Sequence, residues 1–339
     1  MIKILTAFTT FLTLNLRMFD TQTTELSPLS AEMKTFYEDT LIDMAGPKLV
    51  HDQFGDKYPI PKNGGKTIEF RKYSPLAKAT TPLTEGVTPA GSSLSVSTIT
   101  ATVNQYGDYI KLSDMLELTA IDNNVVQSTK LLGSQSGRTL DTITREVLNA
   151  GTNVMFAPKS DGTEVLTRSA LDNTCPLTVD VIFRAAAQLE AMNADGIDGE
   201  SYVAIIHPYA AYDLMRCPEW VDIHKYSDPE SVFKGEIGSI GNVRFVKSTE
   251  AKIWKDSSCP SGLAVFSTLV FGAHAYAITD VTGGGLQHIV KQLGYGEDPL
   301  NQRSSVGWKA IKTAEILTNE YMVRIESCSP VYSEKAAAN

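Results

Sequence analysis

The run Gly64-Gly65-Lys66-Thr67 has the composition of the end of a phosphate-binding loop, in which backbone N–H groups and a lysine cradle the phosphates of a nucleotide. Such a loop needs an earlier glycine, four residues removed from the Gly-Lys pair, and Ile60 stands there. It also needs a helix next, so that amides converge on phosphate, whereas β-type alternation follows here. Gly133-Ser134-Gln135-Ser136-Gly137 puts glutamine where a nucleophile elbow needs serine, within a helical pattern rather than on a strand-to-helix turn. Gly235, Gly238 and Gly241 recur every third residue before a strand, which reads as turns and not as a dinucleotide fingerprint.

The five histidines, His51, His207, His224, His274 and His288, form no H-x-x-x-H or H-E-x-x-H pair, so no metal site is expected. His207 before Pro208 reads as a helix start. The pairs Asp195/Asp198 and Glu297/Asp298 fall in glycine-rich loops and read as solvated turn residues. Cys175, Cys217, Cys259 and Cys328 are widely spaced, with no C-x-x-C, and read as separate thiols in a reducing compartment. No set of residues supports catalysis or a cofactor. The expectation is a protein that is not an enzyme.

Thirty basic and 39 acidic residues leave a net charge of −9, which argues against a chain whose main work is gripping phosphate. A wall around DNA is a different matter, because like charge lets the polymer pack without sticking. Met1 to Leu16 looks like a weak signal peptide but lacks a small-x-small cleavage site, and it is too short to span a bilayer. Translation starting at Met18, with residues 1–17 a non-native or disordered extension, is the simpler expectation. No membrane association is expected.

The elements follow from periodicity. Ser30 to Val50 predicts an amphipathic helix ended by Gly46-Pro47. Lys66 to Tyr73 predicts a strand with Ile68 and Phe70 on one face. Its return begins at Leu94 and runs towards Tyr109-Ile110, with a switch of apolar phase between Val96 and Ile99 that implies a bend. The connection holds Pro75, Pro82 and Pro89 and so is an extended loop. A two-stranded ribbon of this kind buries too little apolar surface to stand alone and must lie on a partner surface.

Ser113-Asp114 reads as a cap, and Asn123 to Ala150 predicts one long helix of about 40 Å. Gly133 and Gly137 inside it each cost roughly 1 kcal/mol relative to alanine, which implies close approach of another backbone. Beyond Thr178 the pattern is mixed: helices at Val179–Met192 and after His207-Pro208, and strands at Tyr202–Ile206, Val243–Val246, Ala264–Phe266 and Ala275–Thr279. Strands at His288–Leu293, Val306–Thr313 and Tyr321–Glu326 follow the boundary Gly283-Gly284-Gly285.

This order of arm, ribbon, long helix, mixed lobe and returning strands resembles the Johnson (Hong Kong-type) fold of tailed-phage major capsid proteins. Glu32–Tyr37, Lys62–Lys72, Thr81–Pro89, Gln105–Tyr109 and Arg138–Asp141 are similar to the N-four-type branch of that family, and the likeness extends over roughly Glu32 to Ser327. It implies an α+β chain divided into an N-terminal arm (18–62), an extended β-hairpin loop (63–112), a peripheral domain with the spine helix (113–176), a mixed α/β axial domain (177–280), peripheral return strands (281–330) and a tail (331–339). It further implies a structural subunit of hexamers and pentamers in an icosahedral virion shell around double-stranded DNA. Partners would be other copies of itself, portal and scaffold proteins, and assembly would take place in the bacterial host cytoplasm. The sites expected are Ile68, Phe70, Arg71 and Lys72 as contacts to a neighbouring subunit, and Gly133 and Gly137 as close-packing positions. Two other readings are an encapsulin-type compartment shell and a secreted binding or adhesion protein.

Overall fold

The computed structural model describes residues 49–74, 76–83, 85–88, 91–119, 124–224, 236–296 and 298–339. The expectations for Met1 to Leu16 and Met18, and most of that for Ser30 to Val50, fall outside these residues. In chain order the elements begin with β1 (Asp56–Lys57), β2 (Thr67–Tyr73), β3 (Val96–Thr102), β4 (Asn104–Ser113), α1 (Asp114–Thr119), α2 (Asn124–Asn149) and β5 (Val154–Phe156). Then come α3 (Val179–Ala191), β6 (Tyr202–Ile206), α4 (Pro208–Met215), α5 (Pro218–His224), β7 (Glu236–Ile240), β8 (Val243–Lys247) and β9 (Ile253–Trp254). The chain closes with β10 (Val265–Phe271), β11 (Tyr276–Asp280), β12 (Gln287–Lys291), β13 (Arg303–Ile316) and β14 (Met322–Ser327).

The long strand β13 organises a five-stranded sheet. Along one edge it pairs antiparallel with β4, from Arg303↔Ser113 to Lys312↔Asn104. Its other edge takes β12 at Ser305–Lys309 and then β11 at Lys312–Ile316. Successive side chains of a strand alternate faces. Val306, Trp308, Ala310 and Lys312 accordingly share one buried face, and the first three form a core with Leu132 and Leu140 of α2.

A seven-stranded sheet, ordered β5-β14-β10-β6-β8-β7 with β9 also on β10, forms the second layer. All of β10 is buried, so it reads as a continuous apolar run interrupted by Ser267 and Thr268. Phe266 and Val270 face a core with Val181, Ile182 and Leu189 of α3, whereas Leu269 and Phe271 face a core with Leu148 of α2. The spine helix therefore packs on both sheets. Ser267 Oγ completes this contact by donating to Asn149 Oδ1 at 2.6 Å. Behind it, Glu326 is buried between Arg168, which binds it through two nitrogens at 2.6 and 2.7 Å, and Arg324 at 3.0 Å. Arg324 also donates to the carbonyls of Asn149 and Gly151, satisfying the end of α2.

The structure differs from the sequence reading in several places. The return strand is two strands, β3 and β4, divided at Val103. β3 pairs with β2 in unbroken register from Val96 to Thr102, so the phase switch between Val96 and Ile99 carries no bulge, and the partner changes to β13 only beyond Val103. The Ser113-Asp114 cap opens the short α1, with Leu116 N–H donating to Ser113 Oγ, rather than the spine helix. β10 and β13 outrun their predicted ends, and β1, β5, β7, β9 and α5 are additions too short or too glycine-rich to show periodicity. Gly238, read as a turn, sits in a bulge of β7. The sheets also cut across the boundary expected at 280, since β11, before it, joins the five-stranded sheet and β14, after it, joins the seven-stranded one.

α4 starts as the sequence implies. Pro208 occupies the first turn and His207 Nδ1 accepts the Tyr209 N–H at 3.2 Å, while the imidazole stacks on Phe266. Burial pushes the His207 imidazole down to about 4. An unfolded histidine titrates near 6.5, so the unfolded chain binds the extra proton first as pH falls. This group contributes no pH dependence above about 6.5, and it costs stability progressively between about 6.5 and 4, by up to roughly 3 kcal/mol. Urea midpoints taken from pH 7 to pH 4 should fall less steeply for His207→Asn, which keeps a capping acceptor, than for the unaltered chain.

Candidate functional site

β2 and β3 pair from Thr67↔Thr102 to Tyr73↔Val96, and among the described residues they pair with no third strand. Ile68 stands opposite Ala101, and Phe70 opposite Ile99. At the base, Val103 N–H donates to Lys66 C=O at 2.9 Å and Ala101 is buried. Farther out the ribbon offers its apolar side chains to solvent: Tyr73, Leu76, Leu83, Val87 and Leu94 are all exposed, Leu83 by 77% and Leu94 by 72%. A second apolar exposure lies at α1, where Leu118 is 80% exposed beside Met115 and Leu116. Large apolar groups left in water in this number mark surfaces meant for burial.

Between the ribbon base and the body lies a cleft of about 590 Å³, bordered by Tyr58, Ile68, Phe70, Lys72, His274 and Leu317. Tyr58 meets Phe70 edge to face at 5.4 Å. Arg71 Nε lies 3.8 Å from Glu69 Oε1 and Lys72 Nζ 3.4 Å from Glu320 Oε2, all four side chains being well exposed. Pairs of this kind contribute about 0–1 kcal/mol, so the two cations remain open to other partners.

A polar junction that the sequence reading missed ties the segment leading into β1 to α2 and β13. His51 donates its amide to Asp141 Oδ1 at 2.8 Å and its ring Nδ1 to Asp141 Oδ2 at 2.7 Å, with both side chains buried. Asp52 accepts from the Thr144 hydroxyl at 2.6 Å and from the Lys312 ammonium, which also donates to Leu140 C=O at 3.0 Å. Tyr276 donates to His51 C=O at 2.5 Å. Burial first, and then the charges of Asp52 and Asp141, push that phenol well above its usual range, so it stays a donor. One signal was available in the sequence: Asp141, Thr144 and Arg145 recur at helical spacing on the stripe that also carries Leu140 and Leu148.

The residues whose types could do chemistry fall in turns, loops and the interior of α2. Gly64 and Gly65 lie in a turn closed by Gly64 N–H to Pro61 C=O, and the β-strand β2 follows. Ser134 and Ser136 are inside α2, where Ser136 Oγ donates to Gly133 C=O. Asp198 closes a loop by accepting the Ser201 N–H, and buried Asp298 accepts those of Gln302 and Arg303. Glu297 and Gly235 lie outside the described residues. Among the described residues no three His, Cys, Asp or Glu side chains are grouped to hold a metal ion, and no helix is long and apolar enough to cross a membrane. Gly133 and Gly137 both lie on the buried face of α2, in line with Leu132, Ser136 and Leu140.

A family model of phage capsid proteins matches residues 96–316, which takes in the spine helix and every strand from β3 to β13. The chain belongs to the phage capsid protein family. A search of curated proteins finds no relative by sequence. Solved structures share the fold of this capsid protein at low identity. The capsid of Ralstonia phage GP4 has a TM-score of 0.64 at 15% identity, over 84% of this chain and 89% of that one. The capsid of cyanophage Pam1 has a TM-score of 0.64 at 11% identity, over 91% and 97%. That of cyanophage P-SCSP1u has a TM-score of 0.62 at 14% identity, over 83% and 88%. The architecture is the α+β Hong Kong-type capsid fold, and the protein is a structural component of a capsid.

The junction yields a test of stability. Asp141→Ala strands the His51 amide and ring without acceptors in the interior, and should destabilise the capsid protein by about 3 kcal/mol. Urea denaturation of the unassembled chain measures this.

Proposed function

We propose that the capsid protein is the major subunit of an icosahedral shell, built as hexamers and pentamers around double-stranded DNA and assembled in the cytoplasm of a bacterial host. The observation that carries this reading is the ribbon. It is a regular two-stranded element whose outer half exposes Tyr73, Leu76, Leu83, Val87 and Leu94. Fully burying side chains of this size is worth about 1.5–3 kcal/mol each. A neighbouring copy is the surface that the ribbon would cover, with Ile68 and Phe70 on apolar ground and Arg71 and Lys72 meeting acidic groups. The likeness of Lys62–Lys72 and Thr81–Pro89 to the N-four-type branch supports this use of the ribbon as the extended loop.

The remaining roles follow the same plan. The spine helix and the C-terminal strands form the peripheral domain, and the lobe from about Leu177 to Asp280, β11 reaching into the five-stranded sheet, forms the axial domain near the capsomer centre. The net charge of −9 suits a wall that does not adhere to packaged DNA. Portal and scaffold proteins are the expected auxiliary partners.

Electron microscopy and light scattering of the purified protein test the assembly. Closed particles or capsomers are expected, and a stable monomer of 36.9 kDa under all conditions, with or without scaffold, would refute the reading. Particles recovered with a packaged enzyme instead of DNA would favour an encapsulin-type compartment. Replacing Arg71 and Lys72 together by Glu should leave circular dichroism unchanged, because each has only a weak contact within the chain. Assembly should fail or become strongly dependent on salt, since exposed like charges repel over a screening length of about 10 Å at 0.1 M. Glu320→Gln serves as the control: normal shells in this variant assign the role of Lys72 to a neighbour rather than to its own cleft.

The spine helix offers an independent test. We assign Gly133 and Gly137 to close packing beneath α2. Gly137→Leu should then overpack the face and cost about 1–3 kcal/mol, with a drop in soluble yield and particle count. A rise in stability would mean that the glycines are merely tolerated.

A further inference from the structure

Three of the four cysteines, remote in sequence, meet in one place. Cys175, Cys259 and Cys328 are all buried in a single small core with Ala157, Val165, Leu171 and Val265, away from Cys217. Two matching turns deliver the first two. In Asp172-Asn173-Thr174-Cys175 the Asp172 carboxylate accepts the Thr174 N–H at 2.8 Å and Cys175 N–H donates to Asp172 C=O at 3.1 Å. In Asp256-Ser257-Ser258-Cys259 the Asp256 carboxylate accepts the Ser258 N–H at 2.8 Å and Cys259 N–H donates to Asp256 C=O at 3.0 Å. Cys328 follows directly on β14, and its N–H donates to Cys175 C=O at 2.9 Å. With standard bond lengths that bond holds the two Cα atoms no more than about 6.8 Å apart. Disulfides span about 4.4–6.8 Å between Cα atoms.

We propose that Cys175 and Cys328 are a disulfide-forming pair, with Cys259 the thiol through which oxidation enters. Cys259 is the one of the three with measurable exposure, 8% against 0% for each of the others. Burial pushes the Cys328 thiol up to about 12, with the neighbouring Cys175 and Cys259 adding to the rise, and it raises the other two thiols as well. The cluster is therefore slow to react at neutral pH and persists as thiols in a reducing cell.

A two-electron oxidant such as hydrogen peroxide changes that. The Cys259 thiolate attacks one peroxide oxygen; an S–O bond forms, the O–O bond breaks, and hydroxide leaves and takes up a proton to become water. The Cys328 thiolate then attacks the sulfenic sulfur, an S–S bond forms, and a second water departs. The Cys175 thiolate next attacks the Cys328 sulfur, releasing Cys259 as a thiolate that recovers its proton. The sum is two thiols and one peroxide giving one disulfide and two waters. The product would tie the segment before α3 to the segment after β14, closing the chain around the seven-stranded sheet. The proposal concerns the folded chain and stands whether or not the chain assembles.

The test uses the full-length protein, purified with reductant, desalted, and treated with hydrogen peroxide at pH 8. After an acid quench, the protein is denatured, alkylated and mapped by mass spectrometry without reduction. Two of the four thiols should be lost, with one cross-linked peptide joining Cys175 to Cys328. Cys259→Ser should slow the reaction several-fold and leave the product unchanged, and Cys217→Ser should alter neither. Recovery of four alkylated cysteines, oxidation to sulfinic acid without a cross-link, or cross-links confined to Cys217 or to separate chains would overturn the proposal. An undiminished rate in Cys259→Ser would remove that residue from its role.

Discussion

Beneath the spine helix the Lys312 ammonium reaches the Asp52 carboxylate, while Asp141 receives both the amide and the ring of His51. These groups are out of water, so each must find its partner inside the protein or cost several kcal/mol. They join three parts of the chain that no hydrophobic contact would align uniquely: the segment leading into β1, the middle of α2, and β13. Register depends on them. A slip of one residue in β13 would carry Lys312 away from Leu140 C=O and Asp52, and at the same step turn Trp308 and Val306 out of their core.

Around that junction the body builds cores of its own. The two sheets and the spine helix bury their own apolar faces, and the charges they enclose are paired, Glu326 by Arg168 and Arg324. The ribbon lies outside this economy of contacts. It is held at its base by Val103, Ala101 and the Tyr58–Phe70 contact and is exposed beyond it. The side chains that build the cores of the body and those that the ribbon leaves exposed are thus different residues.

Much of this was legible in the sequence. The spine helix was located to within one residue at each end because its apolar stripe runs for seven turns. The ribbon and the β6, β8 and α3 elements were legible because their patterns are long or flanked by turns. Ser267 and Thr268 hid the length of β10, since hydroxyls that bond to Asn149 or lie between strands look like loop residues when their partners are unknown. The His51–Asp141 junction escaped for a related reason. A carboxylate on a helix normally reads as solvated, and its partner stands ninety residues away. The cysteine cluster was read as separate thiols because spacing along the chain says nothing of residues brought together by two turns and a strand end. Gly64-Gly65 and Gly133–Gly137 read correctly as turn and helix, because each lacked the following element that its chemistry requires, whereas Gly238 lies in a strand bulge.

β3 passes into β4 through a single residue, Val103, and β4 is bonded to β13 along its whole length. This joint has a mechanical meaning. Tension applied along the ribbon enters β4 at Asn104, and the component directed along the strand loads its ladder in shear. Every rung from Lys312↔Asn104 to Arg303↔Ser113 then resists at once, instead of opening one after another as in peeling. β13 passes the load on to β12 and β11, and through the spine helix to the second sheet. A container under internal pressure puts its walls in tension, and here the outstretched arm is rooted in the part of the subunit best braced to bear it.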